Sequence, residues 1–221
     1  MKLQPGIYAF FKPKGVSSYD IIRVLKKDNK DKEKIGHAGT LDPLASGVLV
    51  IAIGKEFTKK LQNEVKKEKE YIAEIYLGKI SETFDEEGKK TTIKVNKKPK
   101  LEDVKKIISK FIGKIKQTPP IFSAIKIKGK PAYFYARKGI KIKPKEREVD
   151  IKNIKIIKYK WPILKIKVLC GPGVYIRSLA NDLGKTLKTG GYLKKLIRTR
   201  VGDFSLKDCI KIKIDKNVTK N

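Results

Sequence analysis

Apolar and polar residues follow one another along the chain in patterns that predict several strands. Two short apolar runs bounded by glycine, IYAFF (7–11) and VLVIAI (48–53), are typical of buried strands. Three other segments alternate between apolar and polar residues, which predicts strands with one buried face: YIAEIYLG (71–78), IFSAIKIKG (121–129) and ILKIKVLC (163–170).

Helices are predicted between these strands, because apolar residues there recur at the spacing of one helix face. Ser17 and Asp20 have the spacing of a capping box, and Gly113 is a predicted C-cap. The helical segments are YDIIRVLKK (19–27), LEDVKKIISKFI (101–112) and YIRSLANDLGKTL (175–187). Strands with interspersed helices indicate an α+β fold, with a mixed, largely antiparallel sheet and flanking helices. We expect a single domain over residues 1–221.

The net charge of the chain adds an indication that the fold pattern does not give, namely the class of molecule that the protein binds. Lys and Arg number 54 against 23 Asp and Glu, so the formal net charge is +31. Such a balance favours a polyanion, of which nucleic acid is the commonest. The alternative is that lysine-rich segments such as IKIKIDK reflect the codon drift of an A+T-rich genome. Charge alone does not decide between the two.

Several other classes of protein are disfavoured by the sequence. It contains no apolar run of about 18 residues, and its N-terminus lacks the features of a signal peptide. Cys170 and Cys209 belong to no CxxC pattern, so neither a disulfide framework nor a metal site is indicated. Gly36, Gly39 and Gly47 do not fit a nucleotide-binding loop. We therefore expect a cytoplasmic protein.

The segment GHAGTLDPLASG (36–47) contains the single histidine of the chain, His37, and a carboxylate, Asp42, before a proline. Asp before Pro is common in turns, and loop carboxylates are usually solvated. Neither residue by itself predicts catalysis. The whole string carries more information than its two polar residues.

This string resembles the active-site motif of the TruB family of tRNA pseudouridine synthases, and the resemblance extends over about residues 5–205. The segments similar to family motifs are KPKGVSS (12–18), HAGTLDPLASGVLVIAIG (37–54), KEYIAEIYLG (69–78), TFDEEG (83–88), QTPPIFSAIKIKGKPAYFYARKGI (117–140), GVYIRSLANDLG (173–184) and YLKKLIRTRVGDF (192–204). They occur in the family's order and spacing.

The resemblance implies the pseudouridine synthase fold and its reaction. The N1–C1′ glycosidic bond of uridine breaks, the uracil turns, and C5 joins C1′, without a cofactor. Asp42 is implied as the catalytic carboxylate, Arg177 as the ion-pair partner that keeps its pKa low, and Tyr71 as the residue against the uracil that accepts the C5 proton. Whether Asp42 attacks C1′ or first removes a sugar proton stays open.

The resemblance also implies residues that bind the RNA. His37 would fill the stack left by the flipped uracil, Tyr175 and Leu196 would form the pocket walls, and Lys14 would support the active-site loop. A thumb segment, about 117–149, would hold the RNA through basic residues among aromatic ones. These are Lys126, Lys128, Lys130, Arg137 and Lys138, with Tyr133, Phe134 and Tyr135.

Two departures from the family pattern are visible. The family has an acidic residue before Lys-Pro, where this chain has Phe11 before Lys12 and Pro13. Many relatives also continue into a C-terminal PUA domain, which we do not expect in a chain ending at Asn221.

We expect an isomerase that acts on the T-loop uridine at position 55 of tRNA, binds the T-arm as a monomer, and needs no obligatory protein partner. Synthases that modify rRNA carry Gly-Arg-Leu-Asp where this chain has Gly-Thr-Leu-Asp. Dyskerin-type relatives work in a guide-RNA particle and normally carry the PUA domain. From another class, a non-catalytic RNA-binding, ribosome-assembly or RNA-chaperone protein would explain the charge alone.

Overall fold

The structure is a computed structural model that describes residues 3–27, 33–127, 129–140 and 142–214. The described residues form two compact units. Unit 1 contains those up to Ile72 together with those from Leu196 onward, and unit 2 contains those of Ala73–Lys195. No helix in the described part of the chain is long and apolar enough to cross a membrane.

Strands outnumber helices among these residues. The strands are β1 (Gly6–Lys12), β2 (Ile35–Ala38), β3 (Ala45–Ile53), β4 (Lys69–Leu77), β5 (Lys79–Ser81), β6 (Lys90–Thr92), β7 (Gly113–Gln117), β8 (Lys126–Ile127), β9 (Lys130–Pro131), β10 (Arg147–Lys160), β11 (Ile163–Cys170), β12 (Gly191–Val201) and β13 (Phe204–Ser205). The helices are α1 (Ser18–Lys27), α2 (Lys55–Lys66), α3 (Leu101–Ser109), α4 (Ala132–Arg137) and α5 (Ile176–Thr186).

In unit 1, β3 is the central strand. It pairs antiparallel with β1 along one edge, and on its other edge with β2 antiparallel and with the end of β12 parallel. Both faces of β3 are buried: Leu49 and Ile51 belong to one apolar cluster, and Val48 and Val50 to another. Because both faces of β3 are covered, its residues need not alternate between apolar and polar, which explains the continuous apolar run of this strand.

In unit 2, the end of β4, β11, β10 and β7 lie side by side in this order. The pairs β10–β11 and β10–β7 are antiparallel. Leu164, Ile166 and Val168 of β11 are fully buried, while the residues between them are not. Helix α3 packs against β10 and α5. The alternation along β11 thus matches a strand with one covered face.

The predicted α+β class is confirmed: β12 pairs parallel with β3, whereas the pairs β1–β3, β10–β11 and β10–β7 are antiparallel. The capping box at the start of α1 is also confirmed. The Asp20 N–H donates to Ser17 Oγ at 3.1 Å, and the Ser17 N–H donates to Asp20 Oδ2 at 2.6 Å.

Two predicted elements need correction. The helix predicted over 101–112 ends at Ser109, and Gly113 is the first residue of β7 rather than a C-cap. The strand predicted over 121–129 is wrong, since only Lys126–Ile127 is extended and paired. The carbonyl of Ser123 accepts a hydrogen bond from the N–H of Tyr133, in the first turn of α4, so this backbone packs locally and does not join the sheet.

Candidate functional site

The loop between β2 and β3 places Asp42 in a closed turn. The backbone carbonyl of Asp42 accepts a hydrogen bond from the Ala45 N–H at 3.0 Å, and the next carbonyl, of Pro43, accepts one from the Gly15 N–H at 2.8 Å. Asp42 is half-buried. The carboxylate therefore extends from a backbone that is fixed on both of its sides.

Ser18, at the start of α1, holds the residue before Asp42. The Leu41 N–H donates to Ser18 Oγ at 2.8 Å, and the Ser18 hydroxyl donates to the Leu41 carbonyl at 3.1 Å. Ser18 is buried, so water does not compete well for these bonds.

Arg198 of β12 binds the start of the same loop and the neighbouring strand β3. It is 1% exposed, its Nε donates to the Val48 carbonyl at 2.7 Å, and its Nη2 donates to the Gly39 carbonyl at 3.0 Å. Gly47 has φ of 114°, and a Cβ there would overlap the backbone of Arg198. The close approach of β12 to β3 thus requires glycine at this position.

His37 lies in β2 opposite Ile51. Its pKa is lowered, first because burial disfavours the charged ring and then because the Arg198 guanidinium repels a second positive charge. Among the described residues, its buried Nδ1 has no hydrogen-bond partner. His37 is therefore a neutral ring at pH 7.

The remaining predicted residues of unit 1 differ in burial. Tyr71 of β4 and Leu196 of β12 are buried, and Leu196 is the parallel partner of Ala45, three residues after Asp42. Lys14 is exposed. It is Lys12 that is fully buried, with Nζ donating to the Val16 carbonyl at 2.7 Å and to the Pro13 carbonyl at 3.0 Å.

In unit 2, Arg177 of α5 is buried beside a carboxylate. Its Nη1 lies 3.3 Å from Asp85 Oδ2, and its Nη2 donates to the Phe122 carbonyl at 2.8 Å. The hydroxyl of Thr83 donates to the other oxygen of Asp85 at 2.5 Å. The predicted pairing of Arg177 with Asp42 stays a prediction.

Tyr175 precedes α5 and is bound on two sides. Its N–H donates to Gln117 Oε1 at 2.8 Å, and Gln117 Nε2 donates back to the Tyr175 carbonyl at 3.1 Å. The Arg147 guanidinium lies 5.1 Å from the centre of the Tyr175 ring. Gln117, at the start of the thumb segment, thus holds the backbone of Tyr175, and Arg147, near its end, contacts the ring.

The thumb segment brings its basic and aromatic residues together. Lys130 and Lys138 each lie 4.7 Å from the centre of the Phe134 ring, and Arg137 lies 5.4 Å from that of Tyr133. Lys126 and Tyr133 are exposed. The predicted residue Lys128 lies outside the described residues.

Sequence reasoning missed three of these residues: Arg198, Lys12 and Asp85. Each had a signal, since Lys12 directly follows the apolar run IYAFF, Arg198 directly follows the apolar pair Leu196 and Ile197, and Asp85 belongs to the TFDEEG segment. No group of His, Cys, Asp and Glu among the described residues is arranged to hold a metal ion.

Comparison with known proteins connects this geometry to one family. Residues 26–176 match the model of the TruB family pseudouridylate synthase N-terminal domain. Three similar proteins are each named tRNA pseudouridine synthase B. That of Fusobacterium nucleatum is 45% identical, covering 91% of this chain and 69% of its own length. Those of Chlamydia pneumoniae and Protochlamydia amoebophila are 43% and 42% identical, covering 95% and 93% of this chain and 88% and 77% of their own.

Solved structures with the same fold include a chain of a Cbf5-Nop10-Gar1 complex, with a TM-score of 0.73 at 27% identity. A chain of an H/ACA RNP bound to a substrate RNA containing 2′-deoxyuridine has a TM-score of 0.68 at 25% identity. The two matches cover 95% and 93% of this chain, and 53% and 50% of the solved chains.

Proposed function

Since the chain belongs to the TruB family of pseudouridylate synthases, which are isomerases, we propose that it converts the T-loop uridine of tRNA, at position 55, to pseudouridine. The observation that carries this proposal is the identity of 42% to 45% with proteins named tRNA pseudouridine synthase B. The T-loop position comes from the motif resemblance.

Asp42 is the proposed catalytic residue. Its carboxylate acts at the sugar while the N1–C1′ bond breaks, the uracil turns, and C5 bonds to C1′. C5 then loses its proton to Tyr71, N1 gains one, and the product is an isomer of the substrate. The bonds from Ser18 and Arg198 support this role, because a carboxylate on a fixed backbone needs little reorganisation to reach the sugar.

His37 is proposed to fill the gap that the flipped uracil leaves in the RNA stack. The lowered pKa supports this role, since a neutral ring stacks on bases and is a poor proton donor. Tyr175 and Leu196 are the proposed pocket walls, and the thumb residues the proposed contacts to the T-arm. Arg177 is proposed to keep Asp42 ionised, and an Arg177→Lys variant with the wild-type pH–rate profile would exclude that role.

The absence of a cofactor, a monomeric state and a cytoplasmic location remain predictions. Tritium release from tRNA labelled at C5 of uridine, without added metal or nucleotide, tests the function. We expect one tritium released per tRNA, and none from a control tRNA with cytidine at position 55. Release that persists with this control would contradict the proposed target.

A further inference from the structure

The outer face of β10 and β11 carries lysines in opposed positions. In the antiparallel pairing of the two strands, Lys155 lies opposite Lys167 and Lys158 lies opposite Lys165. Lys160, at the end of β10, is exposed as well. We call these five residues the lysine face.

A bulge in β10 keeps the lysines on one face. Residues three apart in a regular strand point to opposite faces, but the register shifts between Ile156 and Lys158. Ile157 is the extra residue and is 46% exposed. Lys155 and Lys158 are therefore both exposed and both opposed by a lysine of β11.

Three residues of the lysine face, Lys155, Lys158 and Lys165, lack the counter-charge that a neighbouring lysine has. Among the residues that the structure describes, Lys155, Lys158 and Lys165 make no ion pair, whereas Lys152 on the same strand lies 2.6 Å from Asp150. Opposed side chains in antiparallel strands have Cβ atoms about 4.5–5.5 Å apart, and like charges there destabilise the pair.

We infer that the lysine face binds the phosphate backbone of the substrate RNA, through residues outside the thumb segment. The inference rests on the proposed function, because a tRNA substrate supplies the polyanion. A row of phosphates neutralises several opposed ammonium groups at once and releases condensed counterions. All four opposed positions are lysines, so each of them presents a positive charge.

The test is a variant in which Lys155, Lys158 and Lys165 are all replaced by Gln. Its control replaces Lys105, Lys106 and Lys110, which are exposed on or next to α3 of the same unit, and changes the net charge equally. The dissociation constant for unmodified tRNA is measured from about 50 to 200 mM salt. We expect the slope of log affinity against log salt to become shallower by about 2 to 3 units in the first variant.

Thermal unfolding without RNA separates a binding defect from a folding defect. Because the substitutions remove like-charge pairs, we expect the first variant to unfold at or above the wild-type temperature at low salt. A shallower slope in a variant that is as stable as wild type, with an unchanged slope in the control, supports the lysine face.

Two results would overturn the inference: a wild-type slope in the first variant, or a loss of binding to phosphatidylserine vesicles with tRNA binding unchanged. The second result would identify a membrane as the partner. If the wild-type protein makes no pseudouridine while the first variant still shows the shallower slope, the proposed function fails and the RNA-binding surface stands.

Discussion

The loop that contains Asp42 (39–44) and the thumb segment (117–149) are built on opposite physical principles. The loop is short, and its backbone is bonded to the buried side chains of Ser18 and Arg198. The thumb segment has a hairpin of two-residue strands and one short helix, and its Phe122 and Tyr133 rings are 38% and 40% exposed.

This difference separates two tasks. A group that acts on a glycosidic bond must be held within a fraction of an ångström, which requires bonds from buried neighbours. Side chains that bind a phosphate backbone need a positive charge and enough length to reach it, and they can bind it from several positions. We therefore expect loop substitutions to change the rate of reaction and thumb substitutions to change the affinity for RNA.

The largest effect is expected for Asp42→Asn. The amide has the shape of the carboxylate but is neither a nucleophile nor a base, so turnover should be abolished while tRNA binding is retained. The measurement is the single-turnover rate at saturating tRNA. Residual turnover above about a hundredth of wild type would remove Asp42 from the mechanism.

Arg198→Met comes next, because it breaks the bonds from one buried side chain to Gly39 of the loop and to Val48 of β3 without touching Asp42. A displacement of the loop by about 1 Å should lower the single-turnover rate by about 100-fold, with tRNA affinity near wild type. Arg200→Met is the matched control on the same strand, since Arg200 bonds only to the nearby Gly202 carbonyl among the described residues. Equal rates for the two variants would show that Arg198 does not position the loop.

A combined substitution of Lys126, Lys130 and Arg137 by Gln tests the thumb. Loss of about three charged contacts should raise the dissociation constant for tRNA by about 10- to 100-fold. The rate at saturating tRNA should not change. A slower rate at saturation would mean that the thumb takes part in orienting the uridine.

The smallest effect concerns His37 and pH. Because its pKa is lowered in the folded protein, the unfolded chain binds the proton more tightly, and stability falls as the pH drops below about 6.5. His37→Gln should remove this loss. The thermal unfolding midpoints of the wild type and the variant, measured between pH 8 and pH 5, should therefore be similar at high pH. At low pH the variant should have the higher midpoint. Parallel curves for the two proteins would contradict the assignment.

The sequence was sufficient to predict elements with a strong local pattern. It was insufficient to predict elements whose conformation depends on tertiary contacts. β1, β3, β11 and α5 follow directly from apolar runs or periodicity. The strand predicted over 121–129 failed because alternation cannot tell a sheet strand from a local hairpin, here β8 paired only with β9 among the described residues. β10 was missed because lysines on its exposed side hide its apolar positions.

The same limit applies to the site. The motif resemblance led to Asp42, His37 and Tyr71, but these roles stay predictions. Nothing in the sequence alone shows that Arg198 is buried and bonded to Gly39, because the two residues are distant in the chain. Lys14 was named from the motif, whereas the structure buries Lys12 instead.

The division between rate and affinity is tested most directly by measuring both quantities, in one tRNA, for the Asp42→Asn and thumb variants. We predict that Asp42→Asn loses the single-turnover rate and keeps the dissociation constant, while the thumb variant does the opposite. A thumb variant that loses rate at saturating tRNA, together with an Asp42→Asn variant that still reacts, would contradict the account.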